Sequence, residues 1–390
     1  MDTSYIINHL GEEHGAYYNA IAPPIIQTSN FLFETVGDLR KAFDDEYGGY
    51  LYSRGLNPTV DILRKKLAAL DGAEDCLVFN SGAAAIFASV LSCVKAGDHI
   101  VSVRSPYTWA QKMFANTLPR LGVQHSFIDG THLENWEETI LPNTTLFYLE
   151  SPNSWTYELQ DLEAIARLAK ERGIITIIDN SYCTPLYQQP HRFGIDLSLQ
   201  SATKYIGGHS DTVAGVLTGS CKRIEKIFNE ELLTIGSSIQ PFNAWLLLRG
   251  LRTLPMRLEK ISATTRVVIN WLKTHPAVER VLFPLDPDFP QYQLAQTQMS
   301  GACGLFTIIL KYRSLLAIEE FCNALKYFRI AVSWGGHESL IIPKCASMPH
   351  DAFTPDEESH RMCRLYVGLE EPGFLIADLQ QAFDKNVLSS

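Results

Sequence analysis

Apolar residues in the first half of the chain fall into short runs: Leu77–Phe79, His99–Val103, Thr144–Leu149, Ile174–Ile178 and Ile195–Leu199. Runs of this length, rich in β-branched residues, predict strands buried on both faces, as in a parallel sheet. Between the runs the apolar spacing lengthens to three and four residues. Val60, Leu63, Leu67 and Leu70 share one face of a helix that Asn57 caps and Pro58 opens. A second helix, LEAIARLAKER, is capped by Asp161 and stopped by Gly173. This strand–helix–strand rhythm, from Leu77 to Leu217, predicts an α/β fold around a mostly parallel central sheet.

Past Ser220 the pattern changes. Lys222–Leu233 and a segment from Ala244 to about Lys273 read as helices, the second kinked or divided at Pro255. The Pro- and Asp-rich loop Pro284–Pro290 marks a smaller domain. Its run Gly304–Leu310, a helix from Leu315 to Tyr327 and a strand Arg364–Gly368 suggest an α+β unit. Ahead of the sheet, residues 1 to about 50 are weakly periodic and broken by Pro23-Pro24 and Gly48-Gly49, and read as an extended arm. The expected organisation is an arm over 1–55 reaching a neighbouring subunit, a large α/β domain over 56–243, and a C-terminal domain over 244–390 closing the substrate site.

Composition narrows function more than fold. With 390 residues, 46% apolar and 19% charged, the chain is an ordinary globular protein too long for one simple core. A formal charge of −10 argues against a nucleic-acid partner. No apolar stretch reaches the roughly 18 residues of a membrane span. The start, MDTSYIINHLGEEHG, has neither the basic residues nor the apolar core of a signal peptide, so a cytoplasmic location is expected. The eight cysteines are scattered without a CxxC, which indicates neither a metal site nor a disulfide framework; buried reduced thiols are expected.

Two strand ends carry the candidate chemistry. Lys204 lies in the turn SATKYIGGHSD just after the run Ile195–Leu199, and Asp179 ends the run Ile174–Ile178. Ligands of open α/β sheets collect at such carboxyl ends. A lysine and an aspartate on two strand ends suit pyridoxal phosphate: the lysine bonds the aldehyde, and the aspartate keeps the ring nitrogen protonated. A further strand, small-residue turn and helix, Leu77–Phe79 into NSGAAA, would offer the backbone N–H groups of Gly82 and Ala83 to a phosphate. The same turn lacks GxGxxG, which disfavours a dinucleotide enzyme.

Together YSRGLNPT, IDNSYCTP and SATKYIGGHSD resemble the Cys/Met-metabolism family of pyridoxal phosphate enzymes, which includes the cystathionine synthases and lyases. The resemblance runs from about Asn19 to about Glu370 and implies a fold-type I transferase fold acting on an amino-acid substrate. It implies that Tyr52 and Arg54 bind the cofactor phosphate of a neighbouring subunit, hence a dimer with shared active sites, assembling further to a tetramer. Tyr107 would stack on the cofactor ring and offer a candidate base. The hydroxyls of Ser201 and Thr203 would join the phosphate cup, where the family usually has Met at the position of Ala83. The segment with Ser333 and Trp334 would line the substrate carboxylate, and Arg364 would fork onto it. His209 and His337, in Gly-flanked turns, are given structural roles.

On reaction type the residues divide. Val332, Trp334, Trp109 and Ser154 resemble the β-lyase type, which favours β-elimination on cystathionine, while YSRGLNPT is closer to the γ-type branch. The expected function is therefore a carbon–sulfur β-lyase, with γ-elimination or γ-replacement as the alternative. A catalytically idle regulator of the same fold is disfavoured, because Lys204, Asp179, Tyr107 and Arg364 are all retained.

Overall fold

The computed structural model describes residues 1–387, and the chain divides into two compact units. The first comprises Met1–Ser151, Gln160–Gly207 and Asp211–Arg252; the second comprises Pro152–Leu159, Gly208–Ser210 and the chain from Thr253 on.

The first unit is built on seven strands: β1 (Asp75–Phe79), β2 (His99–Val103), β3 (Gln124–Ile128), β4 (Thr144–Glu150), β5 (Ile175–Asp179), β6 (Leu197–Ser201) and β7 (Gly215–Gly219). Their order is β1-β7-β6-β5-β4-β2-β3. The pairs among β3, β2, β4, β5 and β6 are parallel; β7 runs antiparallel to both β6 and β1. The apolar runs are explained by the pleat. Ile100, Leu146, Tyr148, Ile177 and Leu199 enter one apolar cluster, while Val101, Val103, Phe147, Leu149 and Ile178 enter another. Alternate side chains leave opposite faces, so a strand covered on both sides is apolar throughout.

Strand β3, QHSFI, is only partly buried and carries too few apolar residues to stand out in the sequence. The antiparallel β7 follows from its connection: the Lys204 turn leaves the end of β6 and returns directly, pairing Ser201 with Gly215. The arm is not wholly extended. It contains the helices Thr3–Asn8 and Val36–Asp44, with Ile6 and Ile7 buried.

Asn57 caps its helix by accepting the Thr59 N–H at 3.0 Å, and Asp161 does the same for Ala164 at 3.0 Å. The long apolar segment is divided at Thr253 into the helices Pro241–Arg252 and Leu254–Thr274, with Pro255 in the first turn of the second. There proline's missing N–H costs nothing. Lys222–Leu233 is helical but widens to a π-turn over Phe228–Leu232.

The second unit carries β8 (Val278–Leu282), β9 (Leu305–Leu310), β10 (Arg329–Ile330), β11 (Leu340–Pro343) and β12 (Met362–Tyr366), in the order β10-β11-β12-β9-β8. All pairs are antiparallel except β10 with β11. Arg364 is thus the middle of a strand rather than its start, flanked in register by Thr307 and Ile342. Cys221 is exposed, Cys93 is half-buried and the other cysteines are buried; none is in a disulfide.

Candidate active site

The carboxyl ends of β6 and β5 lie side by side, with Leu199 in register with Asp179. Asp179 is buried, and its Oδ1 accepts the Ser181 N–H at 2.9 Å. Burial pushes its carboxyl pKa up, against the Ser181 hydrogen bonds and the positive field of Lys204. A carboxylate held this way gains from a further cation. Lys204 is the third residue after β6, its amide donating to the Ser201 carbonyl at 3.0 Å.

Beside them the helix Gly82–Leu91 begins. Ser81 caps it, accepting the Ala84 N–H at 3.1 Å, so the N–H groups of Gly82 and Ala83 are left at the open end. A Cβ on Gly82 would stand 3.2 Å from Ser201 Oγ, and one on Gly215 would stand 2.2 Å from the Ser81 carbonyl oxygen. Both glycines let strand ends and helix terminus approach closely enough to form a cradle. Ser201 lines this cradle. Thr203 is engaged elsewhere: its hydroxyl donates to the Ala214 carbonyl at 3.2 Å and accepts the Ala214 N–H at 3.0 Å. Its single proton is committed there.

Tyr107 precedes a short helix and is 40% exposed. Burial, then Asp179 and Glu150, raise its pKa, so the phenol is a proton donor at neutral pH rather than a ready base. Its position depends on a residue with no role in the sequence reading. Glu150 ends β4 in register with Asp179, and its Oε2 accepts the Tyr107 N–H at 2.5 Å. A carboxylate ending the strand next to that of Asp179 was the available signal. Tyr52 and Arg54 are exposed, with the Arg54 guanidinium 5.5 Å from the Tyr52 ring centre.

In the second unit Arg364 lies against two indoles, 4.7 Å from the Trp155 ring centre and 5.0 Å from that of Trp334. Its Nη1 donates to the Ser154 carbonyl at 3.2 Å. Trp155 is fixed by its own main chain: its carbonyl accepts the Thr307 hydroxyl at 2.9 Å and its N–H donates to Asn153 Oδ1 at 2.8 Å. Asn153 is therefore a turn-former. Trp334 sits between Ser333 (φ 79°) and Gly335 (φ 90°), a left-handed pair that turns the chain sharply. The Tyr366 hydroxyl holds this turn through the Gly336 carbonyl at 2.7 Å. Lys344 meets the same Trp155 ring at 4.4 Å. Neither Trp155 nor Lys344 stands out in the sequence: the β11–β12 register brings Lys344 towards Arg364, and the Thr307 contact of the 152–159 segment brings Trp155 there. His337 is exposed against Glu338, and His209 is exposed. Among the described residues no cluster of three or more His, Cys, Asp or Glu could hold a metal ion, and no helix is long and apolar enough to cross a membrane.

The first unit's residues fit pyridoxal phosphate. An under-compensated buried carboxylate suits a protonated ring nitrogen, a lysine stands within its field, and the glycine-lined helix end suits a phosphate. An open, mostly parallel sheet carrying this trio at its carboxyl edge defines a fold-type I pyridoxal phosphate enzyme. More narrowly, the chain belongs to the Cys/Met metabolism PLP-dependent enzyme family, whose profile matches residues 3–384. It is 39% identical over 378 residues to the L-methionine γ-lyase of Treponema denticola, covering 95% of this chain and 94% of that protein. It is 35% identical over 379 residues to the cystathionine γ-lyase of Macaca fascicularis, covering 96% and 91%. The crystal structure of metB from Corynebacterium glutamicum superposes with a TM-score of 0.91 at 31% identity, covering 99% of this chain and 98% of that one.

Proposed function

We propose that the protein catalyses γ-elimination on a sulfur-containing L-amino acid, with γ-replacement by a thiol as the alternative outcome of the same chemistry. The observation that carries the reading is Lys204 and Asp179 at adjacent strand ends, beside the Gly82 helix terminus. The γ-lyase relatives favour γ-chemistry over β-elimination, so Val332, Trp334, Trp109 and Ser154 weigh less than the YSRGLNPT resemblance. Val332 and Trp109 are 73% and 58% exposed, which leaves both free to vary without cost to packing.

Bound pyridoxal phosphate supplies an electron sink for the pair left when a proton departs from the substrate Cα. Lys204 would hold it covalently, and the free Nζ would serve as the base for the Cα proton. Loss of a γ-substituent needs a second proton from Cβ, which the same amine would take after giving up the first. Asp179 keeps a positive charge at the ring nitrogen. The Gly82 and Ala83 N–H groups and Ser201 receive the phosphate, with Thr203 bracing the turn through Ala214. Tyr107, protonated and held by Glu150, gives a proton to the departing sulfur. Arg364, braced by Trp155 and Trp334, takes the substrate carboxylate, with Ser333 beside it.

The enzyme is read as a cytoplasmic homo-oligomer in which Tyr52 and Arg54 serve a neighbour's phosphate. Arm residues Leu32, Val36 and Phe43, exposed at 100%, 72% and 68%, support a subunit contact there.

The test is a product assay on purified yellow protein with L-methionine, L-cystathionine and O-acetyl-L-homoserine, the last with and without a thiol. α-Ketobutyrate, or a thioether product when thiol is present, is expected, and Lys204→Ala removes both turnover and the visible band. Pyruvate with homocysteine from cystathionine would return the case to β-elimination.

A further inference from the structure

Lys344 follows Pro343, the last residue of β11, two positions beyond the Ile342 that pairs with Arg364. Its ammonium lies 4.4 Å from the centre of the Trp155 ring, which the Arg364 guanidinium meets at 4.7 Å. The side chain is half-buried, and both its burial and the Arg364 guanidinium work against its charge. No acidic side chain among the described residues pairs with it. Two like charges share one indole, and an anion arriving between them relieves their repulsion. Arg364 presents a planar fork that one carboxylate fills. An ammonium beside it is a point charge suited to a different anionic group.

We propose that Lys344 is a specificity-determining residue that receives a second carboxylate, carried on the side chain of the substrate. The substrate class is thereby an amino acid whose γ-substituent ends in a carboxylate, rather than a neutral thioether. This rests on Arg364 taking the α-carboxylate. Trp155 then acts as a shared wall: its ring orients both cations while its backbone is pinned by Thr307 and Asn153.

Equilibrium binding of L-2-aminoadipate and of its neutral near-isostere L-norleucine to the holoenzyme tests this, read by calorimetry and by the visible spectrum. The wild-type protein is expected to prefer aminoadipate by about tenfold or more, the range of one close charge pair. Lys344→Met, which keeps a long side chain against Trp155, should erase that preference by weakening aminoadipate alone, and Lys344→Arg should retain it. No preference in the wild type, a preference surviving in Lys344→Met, or an equal loss of both ligands would overturn the proposal. Arg364→Met is the separate check on the underlying reading: it should weaken both ligands. If it weakens neither, the α-carboxylate assignment falls, while the Lys344 comparison still decides for or against a side-chain carboxylate.

Discussion

Asp179 and Glu231 are both buried carboxylates of the first unit, and burial raises the pKa of each, but their surroundings differ. Asp179 has Ser181 hydrogen bonds and the Lys204 field to offset the cost. Glu231 sits in the π-turn with Oε2 lacking a hydrogen-bond partner, and after burial Glu230 pushes it further, to about 7 from an ordinary 4.5. The folded pKa lies above the unfolded one, so between these values the unfolded state binds fewer protons. Stability therefore falls as pH rises from 4.5 through about 7 and is constant above that with respect to this group. Glu231→Gln removes the effect. In urea unfolding from pH 4 to 8, the variant should gain on the wild type across that window and hold its gain above it. A parallel pH dependence of the two proteins would show that Glu231 titrates normally.

At the scale of elements, the N-terminal helix Thr3–Asn8 is anchored by one side chain. Lys66 is buried on the helix Pro58–Asp71 and donates to the carbonyls of Ile6 and Ile7 at 2.9 and 3.0 Å. It also pairs at 3.0 Å with Glu12, which Arg252 reaches at 2.9 Å. Removing Lys66 orphans two carbonyls and leaves Glu12 to Arg252 alone, at a cost of about 1–3 kcal/mol. Lys66→Met should speed amide exchange across residues 3–8 well beyond that of the β4 and β5 strands. Uniform destabilisation without selective exchange would show that the arm is held by its apolar contacts instead.

For the whole molecule, the sharing of sites can be tested by mixing. If Tyr52 and Arg54 serve a neighbour, a Lys204→Ala subunit beside an Arg54→Ala subunit contains one complete site. Co-refolding or co-expression of the two variants should restore turnover that neither has alone, and Arg54→Ala by itself should lose cofactor on dialysis. Absence of complementation despite mixed assembly would place Arg54 in its own subunit's site or in none.

Sequence alone determined the sheet-forming runs, the capped helices and the lysine–aspartate pair. Each is a local matter: burial on two faces demands unbroken β-branched runs, Asn57 and Asp161 cap from two and three residues away, and Lys204 and Asp179 stand next to legible strands. Strand β3 escaped because it is only partly buried, and the antiparallel β7 because pairing direction belongs to the connection rather than to the strand. Tertiary structure alone decided which side chains share a site. Glu150 meets the Tyr107 amide 43 residues away, and Trp155 gathers Arg364 from 209 positions on and Lys344 from 189, contacts set by strand register and long-range packing. No period or spacing along the chain encodes such distances, which is why the two indoles and the ammonium around Arg364 became visible only in the folded molecule.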